Sequence, residues 1–363
     1  MLKEIKSQDY SVFIGDDVLQ QVQSFLEEHA AQYTKFFILV DENTIEHCLP
    51  IVQFHVPFLK DAEIVEIESG EQNKCIEVVT QVWITLSEAE ADRQALFVNL
   101  GGGVIGDMGG FIASTYKRGI DFINIPTTLL SQVDASVGGK LGIDLNGLKN
   151  QIGVFAYPKG VFILPSFLET LPKGQVRSGF AEVLKHALIR DQKHWDLVKK
   201  ITLKKKIDFE DIIYWSVNIK NNIVLQDPRE KGLRKLLNFG HTIGHAVETL
   251  SIDNLALSEL MHGEAIAVGM IAELYLSQSL AGLSSQQAEE IESILVKLYQ
   301  PTPLREDFFD AYLHLMMQDK KNDKGAINFT LLKAIGDGEV NYTANKKQIV
   351  AALKYYNSVI ARA

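Results

Sequence analysis

The sequence predicts an α/β domain over residues 1–170 followed by a mostly α-helical domain over 171–363. Three observations carry this. Short apolar runs alternate with amphipathic stretches through the first half. From about Thr170 helical spacing takes over and strand signals thin out. The change of texture falls near Leu164–Pro172, between two prolines. A chain of 363 residues is also long enough for two domains at roughly 100–200 residues each.

In chain order, the expected strands are Tyr10–Ile14, Lys35–Val40, Glu63–Ile67, Ala95–Leu100, Phe122–Ile125 and Gly160–Leu164. Between them Asp16–Ala30, Asn73–Leu86 and Gly106–Ser114 place apolar residues three and four apart, as helices do. Strands separated by helical segments imply a mostly parallel sheet with ligands at the strand carboxyl ends. The glycine- and asparagine-rich stretch Gly138–Tyr157 is too polar for a buried strand and fits hairpins or a functional loop. The second half reads as helices over Arg177–Ile189, Asp208–Leu225, Arg234–Leu250, Gly263–Leu280 and Ser285–Leu298.

Composition excludes several classes. Apolar residues make up 46% and charged residues 23%, which argues against disorder and low complexity. The formal charge of −10 repels a phosphate backbone, so nucleic acid is not an expected partner. Five lysines within Lys199–Lys206 read as a solvated helix end. Cys48 and Cys75 are too few for a disulfide framework or a cysteine zinc site. The start, MLKEIKSQDYSVFIG, has no apolar segment of signal-peptide type, and no run approaches a membrane span. A soluble cytoplasmic protein with no membrane partner is expected.

Three sets of residues suggest chemistry. Gly101, Gly103 and Gly106 match G-x-G-x-x-G after a strand and at the start of a helix, where backbone amides approach a pyrophosphate. A turn needing positive φ is the plainer explanation. Asp41, ending a strand, fits either a ribose-binding carboxylate or a helix cap. His241 and His245 lie four apart on one helix face, and His262 follows 21 residues after His241. With Glu182, His186 and Glu264 these could supply three ligands to a zinc ion, and the residues alone do not decide which three. The H-E-x-x-H zincin motif is absent, because Thr242 stands where its glutamate belongs. Lys140, Lys149, Lys185, Lys220 and Arg234 sit outside lysine runs, which suits a phosphate or carboxylate ligand.

Longer blocks resemble the 3-dehydroquinate synthase family of the shikimate pathway. They are GGGVIGDMGGF from Gly101, YKRG from Tyr116, IPTTLLSQVDASVGGK from Ile125, GFAEVLK from Gly179, GLRKLLNFGHTIGHAVE from Gly232 and HGEAIAVGM from His262. The resemblance implies a Rossmann-like α/β domain, a helical domain and an active site in the cleft between them. It also implies NAD, Zn2+ or Co2+, and a homodimer. The reaction implied converts 3-deoxy-D-arabino-heptulosonate 7-phosphate to 3-dehydroquinate and phosphate. Its steps are transient oxidation, phosphate elimination, re-reduction, ring opening and aldol closure.

By position, the resemblance makes Glu182, His241 and His262 the metal ligands and leaves His245 to contact substrate. It assigns Asp41, Asn43, Glu71, Lys74, Gly102, Gly103, Val104, Asp107, Thr127, Thr128, Lys140, Lys149 and the run Phe167, Leu168, Glu169 and Thr170 to NAD. Lys220 and Arg234 would hold the substrate carboxylate, and Asp134, Lys185 and Asn238 would contact hydroxyls. Lys140, Asn150 and Lys320 or Lys321 would hold the phosphate, and Arg118 would reach the neighbouring subunit's phosphate. The chain departs from the family's G-G-K-T-G-I-N and G-K-N, reading Gly139-Lys140-Leu141-Gly142-Ile143-Asp144 and Gly147-Leu148-Lys149-Asn150. A repacked loop with the same phosphate grip is expected. Alternatives are a sibling cyclase making 2-deoxy-scyllo-inosose, aminodehydroquinate or a sedoheptulose 7-phosphate product, a polyol dehydrogenase of glycerol-dehydrogenase type, and an NAD-binding sensor without chemistry.

Overall fold

The computed structural model describes residues 2–145, 148–318 and 327–362. It forms two compact units: Met1–Pro172 with Phe209–Asn221, and Lys173–Asp208 with Asn222–Ala363.

The first unit is built on a seven-stranded sheet. Its strands are β1 (Lys3–Lys6), β2 (Ser11–Ile14), β3 (Lys35–Asp41), β4 (Glu63–Ile67), β5 (Ala95–Gly101), β6 (Asp121–Pro126) and β9 (Val161–Ile163), in the order β1-β2-β9-β6-β5-β3-β4. Only the β1–β2 pair is antiparallel. The intervening hairpin β7 (Lys140–Leu145) and β8 (Leu148–Phe155) pairs with itself, so the polar stretch forms a separate two-stranded ribbon. Helices α1 (Val18–His29), α2 (Glu42–His47), α3 (Leu49–His55), α4 (Ile76–Glu88) and α5 (Gly103–Thr115) connect the strands.

The strand period sorts the core into two layers. Phe37 and Leu39 of β3 pack with Val79, Val82 and Leu86 of α4 and with Met108 and Ile112 of α5. Their neighbours Ile38 and Val40 pack with Val18, Val22 and Leu26 of α1 and Val52 of α3. With both faces covered, β5 is buried along its whole length and reads as an apolar run interrupted only by Asn99, whose Nδ2 donates to Asn124 Oδ1 at 2.9 Å. From β3 the chain moves outward to β4, returns to β5, and continues to β6 on the other side. The order therefore reverses between β3 and β5, and ligands of such sheets bind beyond the carboxyl ends at that point. Asp41 and Gly101 are the last residues of these two strands.

The second unit contains α6 (Lys173–Arg190), α7 (Gln192–Val198), the end of α8 (Glu210–Gln226, of which the part up to Asn221 belongs to the first unit), α9 (His241–Asp253), α10 (His262–Leu276), α11 (Ser285–Tyr299), α12 (Phe309–Gln318) and α13 (Lys346–Arg362). It also holds the antiparallel hairpin β10 (Ile327–Ala334) and β11 (Asp337–Ala344). The single helix expected over Arg234–Leu250 is two. A 3₁₀ turn covers Leu233–Asn238, Gly240 takes φ +79°, and α9 starts afresh at His241. No described helix is long and apolar enough to cross a membrane.

Candidate active site

Two helix starts and the middle of a third helix bring together a cluster of ligating groups in the second unit. His241 is the first residue of α9, His262 the first of α10, and Glu182 lies on α6. Their ligating atoms lie within 4.8 Å of one another. Glu182 Oε1 is 3.6 Å from His241 Nε2 and 3.7 Å from His262 Nε2, so both rings turn the same nitrogen toward one carboxylate. The opposite nitrogens are occupied: His241 Nδ1 is 3.1 Å from the Phe239 carbonyl and His262 Nδ1 is 3.3 Å from Glu248 Oε2. Acceptors on the outer nitrogens place the protons there and leave Nε2 as the lone-pair donor, the arrangement of metal-bound histidines. One carboxylate and two such imidazoles suit Zn2+ or Co2+ and leave coordination positions for substrate oxygens.

The two imidazoles titrate in opposite directions. Burial, aided by Lys185, holds His241 well below the usual imidazole range. His262 moves the other way, to about 9, because hydrogen bonds to Glu182 and Glu248 outweigh the burial that opposes them. A cation is what such a mixture of carboxylates and imidazoles attracts.

Of the other candidates from the sequence, His245 brings a ligating atom within 4.8 Å of His262 and buried His186 brings one within 4.8 Å of Glu182. Glu264 is engaged by Arg177 and by the N–H of Met261, which it accepts at 3.1 Å. His245 is exposed, with its ring centroid 5.0 Å from that of His241. A second grouping, His245, Glu248 and His262, shares one histidine with the first. Lys185 is buried and paired with Glu182 one turn earlier on α6. Arg234 is buried, with Nη1 donating to the Pro228 carbonyl at 2.6 Å. Asn238 Nδ2 donates to Glu230 Oε1 at 2.7 Å.

In the first unit, close approach rather than positive φ calls for glycine at Gly101 and leaves little room at Gly102, whereas Cβ atoms on Gly103 and Gly106 would meet no close neighbour. None of Gly101, Gly102 and Gly103 has φ in the left-handed region. A Cβ on Gly101 would lie 2.5 Å from Ile105 Cγ1, and one on Gly102 would lie 3.1 Å from Thr128 Cγ2. Gly102 caps α5 without a side-chain acceptor, so the first N–H groups of α5, including that of Val104, face the turn uncapped by a side chain. Gly101, Gly102, Gly103, Gly106, Ser131 and Ala135 line a small concavity there. Thr127 N–H donates to the Gly101 carbonyl at 3.0 Å, and Thr128 Oγ1 is 2.9 Å from Ser131 Oγ.

Asp41 is a helix cap. Its Oδ1 accepts from Asn43 N–H at 3.0 Å and Thr44 N–H at 2.8 Å, closing a capping box on α2. Phe167 and Leu168 are buried, and Phe167 belongs to the layer beneath α1, whereas Glu169 and Thr170 are exposed.

Three sequence-distant motifs meet on Lys74. Its ammonium donates to Asp107 Oδ2 at 2.6 Å and to Asn150 Oδ1 at 2.8 Å, while Glu71 is 3.7 Å from Lys149. Burial works to lower the Lys74 pKa, but Asp107 and Glu71 outweigh it and hold it above the ordinary value. Asp144, one of the departures from the family pattern, accepts the Asn150 N–H at 2.7 Å and so fixes that residue's left-handed φ of +52°. Lys140 is exposed at the start of β7. Lys220 is buried on α8 and bonds both the Asp134 carboxylate, at 2.8 Å, and the Asp134 carbonyl, at 2.6 Å. Arg118 is exposed on a turn where Lys117, Arg118 and Gly119 all have positive φ. Lys320 and Lys321 lie outside the described residues.

Sequence reasoning missed Glu230, Glu248 and Glu273. Glu273 is fully buried on α10 and accepts from Gly240 N–H at 2.7 Å. Glu248 and Glu273 on helices, and Glu230 in the loop after α8, read as ordinary surface charge, and no spacing signal marks them.

The chain is similar to several known proteins. Family models described as 3-dehydroquinate synthase N-terminal and C-terminal match residues 64–178 and 179–322. A 3-dehydroquinate synthase from Parabacteroides distasonis is 43% identical over 350 residues, covering 96% of this chain and 98% of its own. Among solved structures, 2-epi-5-epi-valiolone synthase from Streptomyces hygroscopicus, with NAD+ and Zn2+ bound, superposes with TM-score 0.84 at 25% identity, covering all of both chains. A 2-deoxy-scyllo-inosose synthase complexed with carbaglucose-6-phosphate, NAD+ and Co2+ also reaches 0.84, at 24% identity over 98% of this chain and 99% of its own, which supports the fold. With matched domains from residue 64 to 322 and a relative 43% identical along almost its whole length, the chain belongs to the 3-dehydroquinate synthase family.

Proposed function

We propose that the protein converts 3-deoxy-D-arabino-heptulosonate 7-phosphate to 3-dehydroquinate and phosphate in aromatic amino acid biosynthesis. The observation that carries this reading, given the family, is the convergence of Glu182, His241 and His262 on one point with their outer nitrogens already held. These three residues would hold Zn2+ or Co2+, which supplies Lewis acidity toward substrate hydroxyls.

The second unit's remaining groups hold substrate. Buried Arg234, its guanidinium pinned by the Pro228 carbonyl, suits a carboxylate, and Asn238, Lys185 and His245 suit hydroxyls. The first unit holds NAD at the turn after β5, where uncapped amides of α5 and the lack of Cβ atoms at Gly102 and Gly103 favour a pyrophosphate. Thr127, Thr128, Asp41, Asn43, Glu71 and the Lys74–Asp107 pair would line the same cofactor. Lys140, Lys149 and Asn150 would grip phosphate, and Asp134 and Lys220 would complete the polar surface of this unit.

NAD held at this turn would supply a hydride acceptor for a ring carbinol, whose hydroxyl proton leaves as the ketone forms, and the ketone acidifies the neighbouring C–H. That proton passes to the departing phosphate as the C–O bond breaks, so Lys140 and Asn150 need only hold the phosphate in line. The same cofactor would return the hydride, with a proton for the re-formed hydroxyl, before the ring opens and the aldol bond closes. We further read the protein as a cytoplasmic homodimer in which exposed Arg118 reaches the partner subunit's phosphate. The test is turnover of heptulosonate phosphate against glucose 6-phosphate with zinc-replete protein. The reading requires the first to react and the second, lacking a carboxylate for Arg234, to fail; the reverse preference would refute it.

A further inference from the structure

We propose that α9 and α10 brace each other's metal ligand. Glu248 on α9 fixes the ring of His262 at the start of α10, and Glu273 on α10 fixes the backbone that carries His241 at the start of α9. The inference rests on reading Glu182, His241 and His262 as the ligand set.

Position along the helices makes the exchange possible. Glu248 comes two turns after His241, and Glu273 comes three turns after His262, so each helix carries a ligand at its start and a carboxylate further along. Glu248 is 3% exposed and Glu273 is fully buried. Glu248 Oε2 is 3.3 Å from His262 Nδ1, the nitrogen opposite the one facing Glu182. Glu273 Oε2 accepts the Gly240 N–H at 2.7 Å and Oε1 accepts the Ile243 N–H at 3.3 Å. The residue capping α9 is Gly240, which has no side chain to satisfy those amides. Glu273 supplies the cap from the other helix and so sets where α9, and His241 with it, begins.

The helices cannot slide past this arrangement. A Cβ on Gly269 would lie 1.9 Å from the Gly240 carbonyl oxygen, and one on Gly244 would lie 3.0 Å from the Ala265 carbonyl oxygen. Burying carboxylates is costly unless their bonds recover the loss, so two of them beside one cluster point to a positioning task. The rival grouping of His245, Glu248 and His262 would instead make Glu248 a ligand.

The experiment measures Zn2+ dissociation constants by chelator competition on the full-length protein. Absorption of the Co2+ form and thermal unfolding of the metal-free form accompany it. For Glu248→Gln the expected result is zinc affinity about 10–100-fold weaker with an altered Co2+ spectrum and little change in metal-free unfolding. Glu273→Ala should weaken zinc to a similar extent, and Glu273→Gln, which keeps an acceptor, should restore most of it. If Glu273→Ala does not fold, Glu273→Asp, one methylene short, should fold and bind zinc more weakly. Wild-type affinity and spectrum in Glu248→Gln, or in the folded Glu273 variant with the shortened or truncated side chain, would overturn the proposal, even with lowered thermal stability. Loss in Glu248→Gln as complete as in Glu182→Ala would also overturn it, by making Glu248 a ligand. Failure of the wild-type protein to bind zinc would overturn the metal reading itself.

Discussion

One methyl group at Gly269 should unseat the candidate metal site. The added Cβ would meet the Gly240 carbonyl oxygen at 1.9 Å and the Gly244 nitrogen at 2.7 Å, and ordinary contact begins near 3.4 Å. Both neighbours are backbone, so relief requires α9 and α10 to part by roughly 1.5 Å. Overpacking typically costs about 1–3 kcal/mol, and a clash of backbone with backbone belongs at the upper end. At about 2–4 °C per kcal/mol for a unit of this size, Gly269→Ala should lower the unfolding midpoint by roughly 6–12 °C. The same displacement moves His241 relative to His262, so zinc stoichiometry should fall with it. Calorimetry and metal analysis read both effects. Gly106→Ala is the matched control. Its Cβ meets nothing within 4 Å, so stability should hold or rise by about 0.5–1 kcal/mol while NAD binds more weakly. A Gly269→Ala protein with wild-type unfolding and full zinc, or a Gly106→Ala protein destabilised as much, would refute the close-approach reasoning.

Other outcomes follow from the same contacts. His262→Ala should abolish turnover and lower metal content; retention of both would remove it from the ligand set. Lys140→Ala should raise KM and weaken phosphate-bearing inhibitors with metal still bound, and unchanged inhibition would argue against a phosphate grip. Lys74→Ala leaves the Asp107 carboxylate without its cation, so about 3 kcal/mol of stability and much NAD affinity should be lost together, as urea unfolding and cofactor titration would show. His194 is buried in the second unit, and burial, with His186 nearby, pushes its pKa down to about 4. The unfolded chain binds that proton more readily, so stability should fall as pH drops from about 6.5 through about 4, by about 3 kcal/mol in all. His194→Gln should flatten this window, and an unchanged acid profile would exclude His194 as its source.

Much of the first unit was legible because buried parallel strands are continuous apolar runs. Glu63–Ile67 is observed as read, and β3 and β5 each run one residue further than expected, to Asp41 and Gly101. Strand β1 was not, since Lys3–Lys6 at the sheet edge carries only Ile5 inward. The break at Gly240 was hidden because apolar spacing continues across it, and its cause, a carboxylate from another helix, lies 33 residues away. Hairpin β10–β11 was missed because β11 alternates exposed and half-buried positions without a marked apolar face. The candidate ligands were visible as residue types, but spacing alone left six of them open; the resemblance named three, and in the structure those three converge with both Nε2 atoms facing Glu182. Asp41 was readable as a cap or a ribose ligand, and the bonds from Asn43 and Thr44 show that its Oδ1 caps α2. The meeting of Lys74, Asp107 and Asn150 could not be read from one sequence, because nothing local links positions 33 and 76 residues apart.

The central claim is that NAD+ is consumed and regenerated within each turnover while phosphate leaves. The most direct measurement follows phosphate, 3-dehydroquinate and NADH together, with heptulosonate phosphate in large excess over NAD+ and the zinc-loaded protein. Equal amounts of phosphate and 3-dehydroquinate are expected, far exceeding the NAD+ supplied, with no NADH accumulating in the steady state. NADH rising in step with substrate loss, or product formation that stops when NAD+ has been used once, would contradict it.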